Sequence, residues 1–150
     1  MQNLARDVLI LINDVARQVR TRFDQRARAK GMTRAQWLIL AMLERRPGLS
    51  QNELASSLEV EPISVGRLID RLEARGLVER RPDPTDRRVR RLHLLPEATP
   101  FLEEIETQRE LLSAEILDGI DQNARSQLVE YLLRIKSNLT EAPQPKAVGE

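Results

Sequence analysis

The side chains with the most distinctive chemistry in this 150-residue chain are arginines, and their chemistry is anion recognition rather than bond making. A guanidinium group stays protonated and presents a planar set of donors that fits phosphate, carboxylate or the edge of a guanine base. The chain has no cysteine and one histidine, His93, which excludes thiol chemistry, sulfur-ligated metals and a multi-histidine zinc site within one chain. With no glycine-rich phosphate loop either, an enzyme is the least favoured class of function.

The segment 50–95 positions these arginines in the layout of a winged helix-turn-helix. A capping box at Ser50 and Glu53 predicts the start of a short helix, and Pro62 suits the first position of a second one. Two strand-like stretches then flank a turn rich in proline and aspartate. This layout places one helix in the major groove of DNA and a basic loop beside it. The strands are expected over 77–81 and 88–95, with the turn over 82–86.

The second of these helices is expected to read DNA, because its two sides differ in chemistry. Apolar residues gather on one side at about 100° per residue, and small and basic residues lie on the other. The first turn of such a helix meets base edges, and Arg67 can bind a guanine through two hydrogen bonds. An ordinary surface helix is the alternative. The buried face comprises Val65, Leu68, Ile69 and Leu72; base contacts are expected from Ile63, Ser64 and Arg67, thymine-methyl contacts from Pro62 and Val65, and a phosphate contact from Arg71.

Two neighbours of Arg67 carry further expectations. Asp70 lies three residues further on, so it offers Arg67 an ion-pair partner on the same side of the helix. Gly66 and Ser64 are small, which would let the helix backbone approach the groove closely.

The turn between the strands carries several guanidinium groups on a narrow loop. Such groups are favoured in the negative potential of a narrow minor groove. Asp86 is expected to brace Arg88 by a charge-assisted hydrogen bond, which leaves Arg87 to enter the groove, although the sequence leaves open which of the two arginines extends farthest. A hairpin whose edge charges only protect it from aggregation is the alternative. The wing residues expected to contact DNA are Asp86, Arg87, Arg88 and Arg90.

Charged and apolar residues are distributed unevenly, although the net charge is only +1. Stretches 17–34 and 67–91 are rich in arginine whereas 97–118 is acidic, so one side can face a polyanion. Three helices are predicted outside the winged domain, one over 4–30 and two after the wing, starting at Pro96. Each carries an apolar stripe in which apolar side chains recur every three or four residues. The winged-helix body cannot cover all three stripes. We therefore expect a second copy of the chain to cover them, with a longer intramolecular bundle as the alternative.

These patterns predict a mainly α protein with a small β-hairpin, divided into three regions. Residues 1–30 and 96–140 are expected to form a helical dimerisation region, 33–95 the winged helix-turn-helix, and 141–150 a flexible tail. The N-terminus lacks the plan of a secretory signal, and no run approaches the roughly 18 apolar residues of a membrane span. A cytoplasmic protein without membrane contact is expected.

Over nearly its whole length the sequence resembles the MarR family of bacterial transcriptional regulators. The resemblance implies a homodimer built from the first, fifth and sixth helices that binds a pseudo-palindromic operator, usually as a repressor. It also implies release from DNA by a small anionic or phenolic molecule. Leu95 stands where the family usually has a threonine, which removes a helix cap worth about 1 kcal/mol. The most specific motifs are Ser50–Ala55, Leu68–Val78 and Asp83–Arg88, the last with the family's Asp-x-Arg wing signature at Asp86 and Arg88.

The resemblance further implies a ligand site between the dimer helices and the winged domain. Arg20, Phe23 and Trp37 are expected near it, with an arginine facing a carboxylate. For Trp37 an ordinary core position is the alternative. No metal or cofactor is expected. The alternative function for the whole chain is a winged helix that binds an acidic protein partner, which predicts weak and sequence-indifferent DNA binding.

Overall fold

The computed structural model describes residues 4–58 and 60–141, and its elements confirm the predicted class, mainly α with a β-hairpin wing. The described residues fall into two units, the first ending at Leu112 and the second beginning at Ser113. Glu59 of the predicted turn and residues 142–150 of the predicted tail lie outside the described residues. In chain order the elements are α1 (Leu4–Ala29), α2 (Arg34–Arg45), α3 (Gln51–Leu58), α4 (Pro62–Ala74), β1 (Val78–Pro82), β2 (Arg90–Leu94), a short 3₁₀ helix (Pro96–Ala98), α5 (Thr99–Ile116) and α6 (Gln122–Thr140).

Local hydrogen bonds start the helices of the winged domain where the sequence predicts. The Thr33 hydroxyl accepts from the Gln36 N–H at 3.2 Å, and the Gln36 side chain accepts from the Thr33 N–H at 3.0 Å. Ser50 and Glu53 make the same reciprocal pair at the start of α3. Pro62 is the first residue of α4, where its missing N–H costs no hydrogen bond. The capping box predicted at Ser50 is therefore confirmed, and a second one starts α2 at Thr33.

The start of the fifth helix differs from the prediction. Pro96 begins a single 3₁₀ turn, and α5 itself begins at Thr99. Leu95 occupies the capping position and has no side-chain oxygen, so no side-chain hydrogen bond caps this turn. The first N–H groups are satisfied instead by tight backbone bonds, such as that from Ala98 to the Leu95 carbonyl at 3.0 Å.

The hydrophobic core of the first unit holds the winged domain together. α2, α3, α4 and the hairpin each contribute fully buried side chains, and Ile105 of α5 packs into the same cluster. Because one face of α4 is committed to this core, its opposite face must point to solvent. The largest fully buried side chains in this cluster are Ile39, Leu40, Leu43, Leu54, Val65, Ile69, Leu72, Val78 and Leu92.

The hairpin is a two-stranded antiparallel sheet in which Val78 pairs with Leu94 and Pro82 with Arg90. The second strand begins at Arg90, two residues later than expected. The backbone before it is used by the turn, where the Val89 N–H donates to the Asp86 carbonyl at 3.1 Å. Arg88 therefore lies in the turn rather than in the strand.

Large apolar side chains remain exposed on the long helices. In the first unit α1 exposes Val8, Leu9, Ile10, Leu11, Ile12 and Val15. In the second unit α6 contains no buried residue and exposes Leu128, Val129, Tyr131, Leu132, Leu133 and Leu139. Among the described residues, no helix combines the length and apolar character needed to cross a membrane.

Candidate nucleic-acid interface

The first three residues of α4 present their side chains to solvent. Ile63 is 70% exposed, and Pro62 and Ser64 are also exposed. Val65 is fully buried, so the expected contact between Val65 and a thymine methyl group is wrong. Its position, four residues before Ile69, places it on the core side of the helix.

Arg67 lies on the exposed side of α4, and its expected partner is bound elsewhere. Asp70 Oδ1 is 2.7 Å from a terminal guanidinium nitrogen of Arg80 in β1. The expected Arg67–Asp70 pair is therefore wrong. The Arg67 side chain forms no hydrogen bond or ion pair with any described residue. Its guanidinium group remains available to an external anion or base.

Gly66 faces α3 rather than a groove, which corrects the expected role of this glycine. A Cβ atom at Gly66 would lie 2.9 Å from Nε2 of Gln51. That nitrogen donates to the Pro62 carbonyl at 3.2 Å and so crosses from α3 to the start of α4. The small residue permits the close approach of the two helices of the helix-turn-helix.

The tip of the wing is ordered by Asp83, a residue that the sequence analysis did not assign to the site. Its Oδ1 atom accepts from the Thr85 N–H and hydroxyl at 2.8 Å each and from the Asp86 N–H at 3.0 Å. These bonds, led by that from the Thr85 N–H and joined by one from Arg91, hold the pKa of the Asp83 carboxyl far below its usual range. An aspartate that hydrogen-bonds the backbone two residues on is a recognisable turn signal in sequence.

The wing arginines are positioned around this turn. Asp86 Oδ1 accepts from the Arg88 N–H at 3.0 Å and from its Nε at 3.4 Å, so the expected brace is present. The Arg88 side chain is nevertheless 90% exposed. Arg87 and Arg90 are exposed, and their side chains form no hydrogen bond or ion pair within the part of the chain that the structure describes.

A shallow polar depression of about 240 Å³ lies between the start of α3 and the wing. The N-terminal end of a helix carries positive electrostatic potential, and Arg88 and Arg90 add two cations on the other side. This arrangement suits a phosphate group. Ser50, Gln51, Asn52 and Val89 complete the lining.

Arg20, Phe23 and Trp37 come together around one cavity of about 220 Å³. The Phe23 and Trp37 rings meet edge to face with centroids 6.4 Å apart. Trp37 is buried, and its Nε1–H has no hydrogen-bond partner among the described residues. The cavity also contains two arginines that the sequence analysis missed, Arg34 and Arg109. The remaining lining residues are Val19, Leu38, Ala41 and Ile105.

Solved structures of transcriptional regulators share this fold. The transcriptional regulator PA3341 is 36% identical over 87% of this chain and 96% of that chain, with a TM-score of 0.74. SlyA is 26% identical over 90% of this chain and 95% of its own chain, with a TM-score of 0.76. The apo form of wild-type MarR from E. coli is 25% identical over 89% of this chain and 96% of its own chain, with a TM-score of 0.77. A model of the MarR family matches residues 30–89.

The chain belongs to the MarR family.

Membership in the MarR family establishes the class of the protein as a winged-helix, DNA-binding transcriptional regulator. The part matched by the family model contains α2, α3, α4, β1 and the turn of the wing, which include most of the interface described above. The same membership supports the expectation of a protein without enzymatic activity, because regulators of the MarR family act by binding DNA.

Proposed function

We propose that this MarR-family protein is a homodimeric repressor that binds a pseudo-palindromic operator and is released by a small anionic ligand. The observation that carries the proposal is the state of Arg67, which is exposed on α4 and has no partner among the described residues. A guanidinium group in this state can form two hydrogen bonds with a guanine. The other contacts proposed for α4 are from Ile63 and Ser64 to bases, from Pro62 to a thymine methyl group and from Arg71 to a phosphate.

The wing supplies the second part of the proposed interface. Arg87 and Arg88 extend from a turn held by Asp83, and either can enter a minor groove whose negative potential favours guanidinium groups. In this proposal Asp86 braces Arg88, and Arg90 contacts the phosphate backbone beside the start of α3. These contacts add affinity without reading individual bases.

Dimerisation is proposed because the long helices leave apolar faces uncovered within a single copy. In the first unit Val15 of α1 is 57% exposed, and in the second unit Leu132 of α6 is 48% exposed. A second copy would remove such surfaces from water, at about 25 cal/mol for each Å². Sedimentation should give a dimer for the wild type and a folded monomer for Val15→Asp or Leu132→Asp. A monomeric wild type would contradict this part.

In the proposed complex, the two copies read half-sites about 10 base pairs apart, which is one turn of DNA. If each copy neutralises about four phosphates, a plot of the logarithm of the binding constant against the logarithm of the salt concentration has a slope near −7. A dimer bound near a promoter would block polymerase.

The cavity around Trp37 is proposed as the effector site. Arg20 and Arg34 supply positive charge, the Trp37 N–H supplies a free donor, and Phe23 supplies an aromatic wall, whereas Arg109 already pairs with Glu106 at 3.2 Å. These groups suit a small aromatic anion. A coupling of about 1.5 to 3 kcal/mol would lower DNA affinity roughly 10- to 150-fold.

The proposal is tested by selecting bound sequences from a random DNA pool, with and without benzoate as a probe anion. We expect enrichment of a pseudo-palindrome that contains a guanine in each half-site. Binding that is weak and equal on all sequences would overturn it and favour a winged helix that contacts an acidic protein. Enrichment that benzoate and related aromatic anions leave unchanged would overturn only the effector part.

A further inference from the structure

A cluster of charges beside Arg67 has no role in the interface described so far. Arg80 of β1 contacts both carboxylates of α4, with Asp70 at 2.7 Å and Glu73 at 3.1 Å. It also donates to the Gly66 carbonyl at 3.3 Å. The Arg80 side chain is only 20% exposed, whereas that of Asp70 is 67% exposed.

The position of Arg80 follows from the hairpin. Val78 and Arg80 lie on the same face of β1, and Val78 is buried in the core, so Arg80 points towards α4. The adjacent Arg81 lies on the other face and pairs with Glu79 instead. The alternation of the strand thus assigns one of two neighbouring arginines to α4.

The charges of α4 show what this contact does. Its sequence carries two arginines, Arg67 and Arg71, and two acids, Asp70 and Glu73, so the isolated helix has no net charge. Asp70 lies three residues after Arg67, a spacing at which opposite charges attract on a helix. Without Arg80, Asp70 would be free to pair with Arg67 and would repel nearby phosphates.

We infer that Arg80 is a positioning residue for base recognition, because it holds Asp70 away from Arg67 and neutralises the acidic side chains of α4. This inference rests on the proposed function, in which Arg67 reads a base. This role requires no contact between Arg80 and DNA. Arg80 affects the affinity for the operator because it leaves the Arg67 guanidinium group without a partner in the protein.

The test compares two double variants that have the same net charge as the wild type. Arg80→Met removes the cation from both acids of α4 and leaves Glu73 only the hydrogen bond from the backbone N–H of residue 80. Arg80→Met with Asp70→Asn removes the acid beside Arg67, whereas Arg80→Met with Glu73→Gln removes the acid that lies six residues away from it. Because each dimer has two reading helices, we expect Arg80→Met to lower operator affinity roughly 2- to 5-fold. The Asp70→Asn double variant should return to the wild-type affinity, and the Glu73→Gln double variant should not.

A second measurement does not need DNA. The NMR signal of the Arg67 Nε–H in the free protein should shift in Arg80→Met and in the Glu73→Gln double variant, and stay at its wild-type position in the Asp70→Asn double variant. Equal recovery in the two double variants would overturn the inference, because charge alone would then explain it. An unshifted Arg67 signal in Arg80→Met would overturn it as well. Failure of the proposed function is recognised separately, since the wild type would then show no preferred sequence.

Discussion

Arg91 and Asp83 join the two sides of the wing through an ion pair of 2.8 Å between Nε and Oδ2. The same guanidinium group lies 3.3 Å from Glu53 and donates to the Gly48 carbonyl at 3.2 Å. Because Glu53 belongs to the first turn of α3, Arg91 connects the wing to the helix-turn-helix. Arg91 therefore adds a side-chain link to the backbone hydrogen bonds that join Leu92 of the wing to Gly48 and Leu49, just before α3.

Replacement of Arg91 by methionine should loosen the wing while leaving the core intact. Arg91→Met removes three contacts but keeps an unbranched side chain of similar length. We expect faster hydrogen exchange at the backbone N–H groups of 83–89 and weaker DNA binding. The matched control is Arg81→Met, since Arg81 is an exposed arginine of the same hairpin whose ion pair is confined to Glu79. Equal exchange in the two variants would contradict the anchoring role.

The wing should also respond to acid through Asp83. Its pKa in the folded protein is depressed, chiefly by the hydrogen bond from the Thr85 N–H, whereas the pKa of an aspartate in the unfolded chain is about 3.9. Its contribution to stability is therefore complete above that value and is lost as the pH falls below it towards the folded pKa. Asp83→Asn should flatten the decline in free energy of unfolding below about pH 4. A carboxyl titration by NMR that places Asp83 at the ordinary value would refute this.

Gly66 allows a test of the close contact between α3 and α4. Gly66→Ala gains helix propensity of roughly 0.5–1 kcal/mol but displaces Gln51 from the Pro62 carbonyl, which loses a hydrogen bond worth about 1 kcal/mol. We expect little net change in the free energy of unfolding measured with urea. In a Gln51→Ala background, the same Gly66→Ala change should be stabilising by the full propensity difference. Strong destabilisation in that background would contradict the assigned contact.

Arg67 and Arg71 should affect DNA binding in different ways. Arg67→Ala should cost about 1–3 kcal/mol for each half-site and relax the preference for one base. Arg67→Lys should keep the salt dependence but lose most of that preference, because an ammonium group lacks the planar pair of donors. Arg71→Ala should weaken binding equally on all sequences and lower the salt slope by about 1 per contact. Fluorescence anisotropy on the selected operator and on a scrambled duplex separates these outcomes.

Trp37 provides both a probe and a test of the cavity. It is the single tryptophan of the chain, so its fluorescence reports directly on this site. Trp37→Phe removes a buried donor without a partner, whose burial costs about 1–3 kcal/mol, and this gain offsets the smaller ring. We expect a small change in stability and a clear loss of benzoate affinity by calorimetry. Unchanged benzoate affinity would place the ligand elsewhere.

Much of the fold follows from signals within a few residues of each other. The capping boxes at Thr33 and Ser50 and the proline at the start of α4 are local patterns, and each helix begins where they indicate. Amphipathic spacing likewise assigned Ile69 and Leu72 to the core. The same spacing puts Val65 on the buried side, and the expected contact between Val65 and a thymine methyl group, which ignored it, was wrong.

The sequence by itself determined the helices, the hairpin and the exposed basic face, because helix caps, turn residues and apolar periodicity act over one or two turns of chain. The local Asp86–Arg88 pair followed from the sequence, whereas tertiary structure decided which charges pair between different elements. Asp70 has Arg67 within reach along its own helix, yet Arg80 of the packed hairpin binds it, and Arg91 reaches Glu53 across 38 residues. The cavity that unites Arg20 with Arg109 also depends on packing. Such contacts arise when separate elements dock, and no local pattern in the chain specifies which of several available partners lies nearest.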